Sequence, residues 1–293
     1  MTETTSATSS FQKIAIFLEM IKFSHTIFAL PFALTGALLA AGGLPTVTQL
    51  LWIVLAMVGA RTAAMGLNRL IDADIDARNP RTAGRAIPAG LIGKGLTLMF
   101  ITVSLALLLV AAARLNPLCL KLAPLAVFFL VLYSYCKRFT SLAHVVLGLC
   151  LAAAPIGAWI AIRGSIDTPA VILGSIVLFW VAGFDILYAL QDLEFDRTAG
   201  LHSIPVALGV SGSLWAARLF HVIMVLLMVW LFANMRLGGF FCAGMCVAGG
   251  MLVYEHWLLR NGDLTKLDAA FFNVNGYISI AILAFTAADV FVR

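Results

Sequence analysis

Residues Gly95–Ala113 read GLTLMFITVSLALLLVAAA, nineteen positions without one charged side chain. At about 1.5 Å per residue, an α-helix of this length nearly crosses the ~30 Å hydrocarbon core of a bilayer. Lys94 and Arg114 stand at its two ends. The apolar residues are continuous rather than alternating, so the run is not a strand of a membrane β-barrel. The same texture recurs in both directions. Spans are expected over roughly 23–42, 47–70, 95–113, 117–136, 142–162, 168–190, 212–234, 237–259 and 268–291. Turn chemistry separates several of them, at Gly42-Gly43-Leu44-Pro45, Asn116-Pro117 and Arg163-Gly164-Ser165. Pro31, Pro124 and Pro155 fall inside spans, where kinks are tolerated. The expected fold class is all-α, a polytopic membrane protein with about nine transmembrane helices.

Composition agrees. Of 293 residues, 62% are apolar and 11% charged, and the mean hydropathy is +1.03. A soluble domain carries about 25% charged and about 45–50% apolar residues. A disordered chain is excluded, and a soluble enzyme has no surface on which to place this much apolar area. The net charge of +5 would suggest nucleic acid in a soluble protein. Here it reads as loop Lys and Arg facing an anionic membrane surface, so membrane lipid is an expected partner and nucleic acid is not. The five cysteines, Cys119, Cys136, Cys150, Cys242 and Cys246, are odd in number and give no disulfide framework. Residues 1–10 (MTETTSATSS) are expected to be a disordered tail, without the pattern of a cleavable signal peptide. Residues 11–22 suggest a short interfacial helix, and 11–293 are read as one intramembrane domain. With the N-terminus in the cytoplasm, fourteen Lys and Arg fall on or near the cytoplasmic side and five on the other. That bias orients the chain, and nine spans would leave the C-terminus outside.

Six of the fourteen acidic residues sit in two short stretches, Asp72, Asp74, Asp76 and then Asp192, Glu194, Asp196. Each stretch directly follows a span. Four spans lie between them, so both emerge on one face of the membrane. On a helix Asn68, Asp72 and Asp76 share a face while Asp74 points away. Asp192 and Asp196 share a face and Glu194 does not. Converging carboxylates repel one another unless a divalent cation holds them. Hard oxygen donors around a cation that keeps waters and binds phosphate describe Mg²⁺. The two stretches thus read as a two-sided clamp for a diphosphate. Arginines follow the first stretch, in Arg78-Asn-Pro-Arg81-Thr-Ala-Gly-Arg85, and guanidinium forks suit phosphate oxygens. Lys137 and Arg138 close the fourth span, with Lys137 a point charge for phosphate.

These residues resemble the UbiA superfamily of intramembrane aromatic prenyltransferases. Asn68-x3-Asp72-x3-Asp76 matches its first aspartate motif. Arg81-Thr82 with Arg85 through Gly90 matches the segment that follows, Tyr133 and Lys137 a Tyr-x3-Lys element, and Asp192 and Asp196 the second motif. Ile21 through Phe32 and Ala270 through Gly276 look like the bacterial branch that prenylates 4-hydroxybenzoate or a menaquinone-pathway aromatic. The resemblance implies nine helices around a central cavity capped by cytoplasmic loops. It also implies two Mg²⁺ ions holding a polyprenyl diphosphate, and an aromatic acid acceptor such as 4-hydroxybenzoate or 1,4-dihydroxy-6-naphthoate, in respiratory quinone biosynthesis at the bacterial inner membrane. Asp72, Asp76, Asp192 and Asp196 would hold the metal, assisted by Asn68. Arg81, Arg85, Lys94, Lys137 and Arg138 would meet the diphosphate. Many members carry Lys in a Gly-x-Lys-Ser segment where this chain has His202.

Asp185, inside the sixth span on roughly the face of Asp192, is a candidate for polarising the acceptor hydroxyl or taking its ring proton, with Tyr188 beside it. A structural hydrogen bond between helices would equally account for Asp185. Lys22 and His25, at the entrance of the first span, could meet the anionic group of the acceptor or simply snorkel to the interface. No protein partner is indicated. A transporter is the main competing class, but it would place charged groups near mid-membrane rather than clustered at one face.

Overall fold

The structure, a computed structural model, describes residues 10–21, 29–260, 267 and 273–292. Among these residues there is no strand. The helices are α1 (Ser10–Met20), α2 (Leu30–Ala41), α3 (Val47–Ile71), α4 (Ala73–Asp76), α5 (Lys94–Leu115), α6 (Pro117–Cys136), α7 (Ala143–Arg163), α8 (Thr168–Ala189), α9 (Leu193–Thr198), α10 (Ile204–Met235), α11 (Gly239–Leu258) and α12 (Asn275–Val292). A 3-10 turn, Leu190–Asp192, joins α8 to α9. Among the described residues, α2, α3, α5, α6, α7, α8, α10, α11 and α12 take up the expected spans one for one. Seven helical segments are long and apolar enough to cross a membrane. Of the other two, α2 has 12 described residues, and α11 carries Glu255 and His256 near its end.

Local chemistry sets the ends. Thr46 and Gln49 form a capping box at the start of α3, each side chain accepting from the other's backbone N–H. Asn116 caps α6 by accepting from the Cys119 N–H, with Pro117 at the first helical position. Gly164 ends α7 in the left-handed conformation, φ 71°.

The long helices contact one another in chain order, from α2 through α12, and α12 returns to α2 to close the ring. Apolar helices gain little from burial in a lipid solvent, so close backbone approach carries much of the packing. A Cβ on Gly148 of α7 would stand 2.5 Å from the Leu178 carbonyl oxygen of α8, so only glycine permits that crossing. α8 is deeply enclosed: Trp180, Val181, Ala182 and Ile186 are all fully buried. Trp180 on α8 tilts against Phe32 of α2 and meets Phe184 edge-on. On α10 the exposed Trp215, Leu219, Val222, Leu226 and Trp230 recur at three- and four-residue steps, a stripe suited to lipid. The helix expected over 11–22 is α1, whose Phe17 is buried and stacks on Phe100 of α5 at 4.3 Å. The tail expected over 1–10 lies, but for Ser10, outside the described residues.

Candidate functional site

Both acidic stretches begin where a long helix changes course. Asp72 leaves α3 with φ −91° and ψ 4°, and the single turn α4 carries Asp76. α8 tightens into the 3-10 turn that holds Asp192 before α9 delivers Asp196. Asp76, Asp192 and Asp196 are buried, while Asp74 and Glu194 face outward.

The two stretches meet. The segment after α4 folds back so that Arg81 grips Asp192 with two hydrogen bonds, Nε to Oδ1 at 2.8 Å and Nη2 to Oδ2. Asn79 donates to Asp192 Oδ1 at 2.9 Å. Arg85 pairs with Asp76 at 2.6 Å. From the end of α6, Lys137 reaches Asp196 at 3.2 Å and Arg138 reaches Asp72 at 3.1 Å. Asn68 donates to Asp72 Oδ2 at 2.8 Å. Each of the four carboxylates therefore holds one cation. Burial pushes the Asp72 carboxyl up to about 6, against the pull of Arg138. Burial also works against the charge on Arg81, yet its bonds to Asp192 hold the guanidinium above its ordinary value.

These pairings keep the acids apart. Among the described residues no three His, Cys, Asp or Glu side chains converge closely enough to hold a metal ion. The donor chemistry nevertheless suits a hard cation, because Asp76 Oδ2 is buried without a hydrogen-bond partner.

Deeper in the bundle lie four further polar side chains. Arg61 is on α3 seven residues before Asn68, hence on the same face and about 10 Å further into the bilayer. Its Nε is buried and unpartnered. Asp185 on α8 accepts from His144 of α7, Nδ1 to Oδ2 at 2.7 Å. Tyr133 is close enough to Asp185 and Asp72 to feel both charges.

The remaining sequence candidates scatter. Tyr188 lies under the Arg81 guanidinium, 5.8 Å from ring centroid to Cζ. Lys94 pairs with Asp74 at 3.3 Å, both largely exposed, and is not drawn into the four-pair cluster. The His202 side chain is exposed; its backbone N–H donates to the Lys137 carbonyl at 2.7 Å. Lys22 and His25 lie outside the described residues. Sequence reasoning overlooked Asn79, His144 and the depth of Arg61. The signal for Arg61 was available, as a charge well inside an apolar helix.

The sequence profile of the UbiA prenyltransferase family matches residues 29–277. The chain is 31% identical to a 4-hydroxybenzoate octaprenyltransferase of Aliivibrio fischeri, over 84% of this chain and 86% of that protein. It resembles the apo structure of a UbiA homolog from Aeropyrum pernix K1, with TM-score 0.84 and 32% identity over 91% of this chain and 98% of the other. A UbiA homolog from Archaeoglobus fulgidus bound to DMAPP and Mg²⁺ shares the fold, with TM-score 0.68 and 19% identity over 94% and 99% of the two chains.

Proposed function

The chain belongs to the UbiA prenyltransferase family, and from that premise we propose that it transfers a polyprenyl group from a polyprenyl diphosphate to an aromatic acid at the bacterial inner membrane. The acceptor is 4-hydroxybenzoate or a related hydroxylated acid such as 1,4-dihydroxy-6-naphthoate. The name of the Aliivibrio relative supports the former. Both aspartate motifs lie on the cytoplasmic side in this reading, which the Lys and Arg bias supports.

One observation carries the proposal: four carboxylates, each joined to a basic side chain, bring the two aspartate stretches together at the mouth of the bundle. The cluster sums to zero formal charge. Asp72, Asp76, Asp192 and Asp196 would hold Mg²⁺, and Arg81, Arg85, Lys137 and Arg138 would hold the phosphate oxygens in exchange for their present carboxylate partners. Bound there, Mg²⁺ would supply charge stabilisation for the departing diphosphate. The basic side chains supply the same stabilisation from fixed positions. The allylic cation left behind lies below, among apolar helices that exclude water. Arg61 would hold the carboxylate of the acceptor. A charge at that depth costs about 2.5–3.5 kcal/mol, and an anionic partner offsets it. Asp185, with Tyr133 nearby, faces the acceptor hydroxyl and ring.

The test is prenyl transfer by purified, lipid-reconstituted protein. It uses a labelled polyprenyl diphosphate, with and without Mg²⁺, and offers each acceptor separately. Mg²⁺-dependent product is expected. No product with either acid would refute the proposal.

A further inference from the structure

We infer that His144 is the positioning residue that makes Asp185 the acceptor of the ring proton; this rests on the prenyl-transfer reading above. The argument begins with the imidazole. The Ile204 backbone N–H points at His144 Nε2, 3.4 Å away. Only an unprotonated nitrogen accepts that bond, so the ring proton sits on Nδ1 and is donated to Asp185 Oδ2 at 2.7 Å. That bond occupies one carboxylate oxygen and leaves Oδ1 as the proton acceptor.

Burial separates the two roles. The His144 side chain is 1% exposed and that of Asp185 is 18% exposed. Asp185 can meet a substrate, whereas His144 stands behind it and acts through it. The same histidine ties the carboxylate to the diphosphate end of the molecule. Ile204 opens α10 directly after the loop that follows the second aspartate motif, and in that loop His202 donates to Lys137, the partner of Asp196.

The step balances. The allylic C–O bond breaks with its electron pair leaving on diphosphate. A ring π pair forms the new C–C bond, and the ring C–H proton passes to Asp185 Oδ1 as its electron pair restores aromaticity. The departing diphosphate then carries that proton away.

Three single variants and one double variant test this: His144→Leu, which removes the donor; His144→Asn, whose amide keeps an N–H near the position of Nδ1; Asp185→Asn; and His144→Leu combined with Asp185→Asn. Turnover is followed with ordinary and ring-deuterated 4-hydroxybenzoate. Binding of an unreactive thiolodiphosphate with Mg²⁺ is measured in parallel, so that a misfolded variant is recognised. His144→Leu should lower kcat about 10²-fold, the lower range for a lost acid–base contribution, with analogue binding unchanged and a deuterium effect larger than in the wild type. His144→Asn should recover most of the rate. The double variant His144→Leu/Asp185→Asn should be no slower than Asp185→Asn alone, because the two residues act as one unit. Multiplying losses, an unchanged kcat, or a slow variant without the deuterium effect would each overturn the inference. Wild-type protein that binds the analogue but transfers to no aromatic acid would overturn the prenyl-transfer reading first, and this inference with it.

Discussion

At the scale of single residues, the site is a set of ion pairs that the proposed function exchanges for metal and phosphate, and its variants should separate accordingly. Asp192 accepts from both Arg81 and Asn79, so Asp192→Asn removes the metal donor proposed above and the anchor of the folded-back segment together. Prenyl transfer should fall by about 10²-fold or more, the scale of losing one preorganised electrostatic contact. Asp74→Asn and Glu194→Gln change charges two residues away that face outward, and should keep activity within about twofold of wild type. Initial-rate assays on the three proteins decide this; equal losses in all of them would mean that total loop charge matters and position does not. Arg61→Leu should raise KM for the acceptor by about 10–100-fold while kcat holds. That is the ~1.5–3 kcal/mol of one charged hydrogen bond, removed equally from ground and transition states. A fall in kcat at unchanged KM would place Arg61 elsewhere in the reaction. Some of this was legible in the sequence and some was not. Asp72, Asp76, Asp192 and Asp196 stood out because charge is scarce and a four-residue spacing survives from sequence into helix. The cation that each carboxylate holds did not, because Arg81 and Asp192 are 111 positions apart and a loop joins them. His144 was invisible for a related reason: one imidazole at the head of an apolar run takes its meaning from a carboxylate on the next helix.

At the scale of elements, the spans were readable because a bilayer demands about twenty apolar residues whatever the packing. What the pattern could not carry was how the helices touch and where they bend. Gly148 has nothing around it in the sequence to mark the crossing of α7 and α8. In space, any side chain there collides with the Leu178 backbone, which cannot swing aside as a side-chain tip would. Gly148→Ala should therefore destabilise by about 1–3 kcal/mol, the usual cost of overpacking. A thermal unfolding scan in detergent should show a lower midpoint, with Mg²⁺-dependent activity retained below it. An unchanged midpoint would mean that the two helices can separate without loss. α10 is the companion case. Gly209 interrupts it with φ 66° and ψ −175°, a bend that periodicity does not report because the residues on both sides are apolar. The bend lies within two turns of Ile204, so it sets the angle at which α10 leaves the loop after the second aspartate motif.

At the scale of the whole molecule, the ring of helices joins two halves of the chain, each of which brings one aspartate stretch to the same mouth. Across that mouth lie the contacts of Arg81 and Lys137 with Asp192 and Asp196. Under the proposed function this arrangement ties metal and diphosphate binding together. A cation arriving alone must displace an arginine or lysine that then has no anion to meet. A diphosphate arriving alone draws the basic groups away and strands buried carboxylates. Arriving together at the proposed site, the two would satisfy all eight side chains. Mg²⁺ and diphosphate should thus bind with positive coupling, and linkage requires the effect to be the same from either side. A coupling of about 1–3 kcal/mol corresponds to an affinity gain of about 5–150-fold. Titration calorimetry with Mg²⁺, in the presence and absence of an unreactive prenyl thiolodiphosphate, measures it directly. The complementary titration of the analogue, with and without Mg²⁺, must return the same factor. Independent binding in both directions would mean that the ion pairs stay closed when ligand enters. The diphosphate would then have to bind at a site other than the one the two aspartate stretches build.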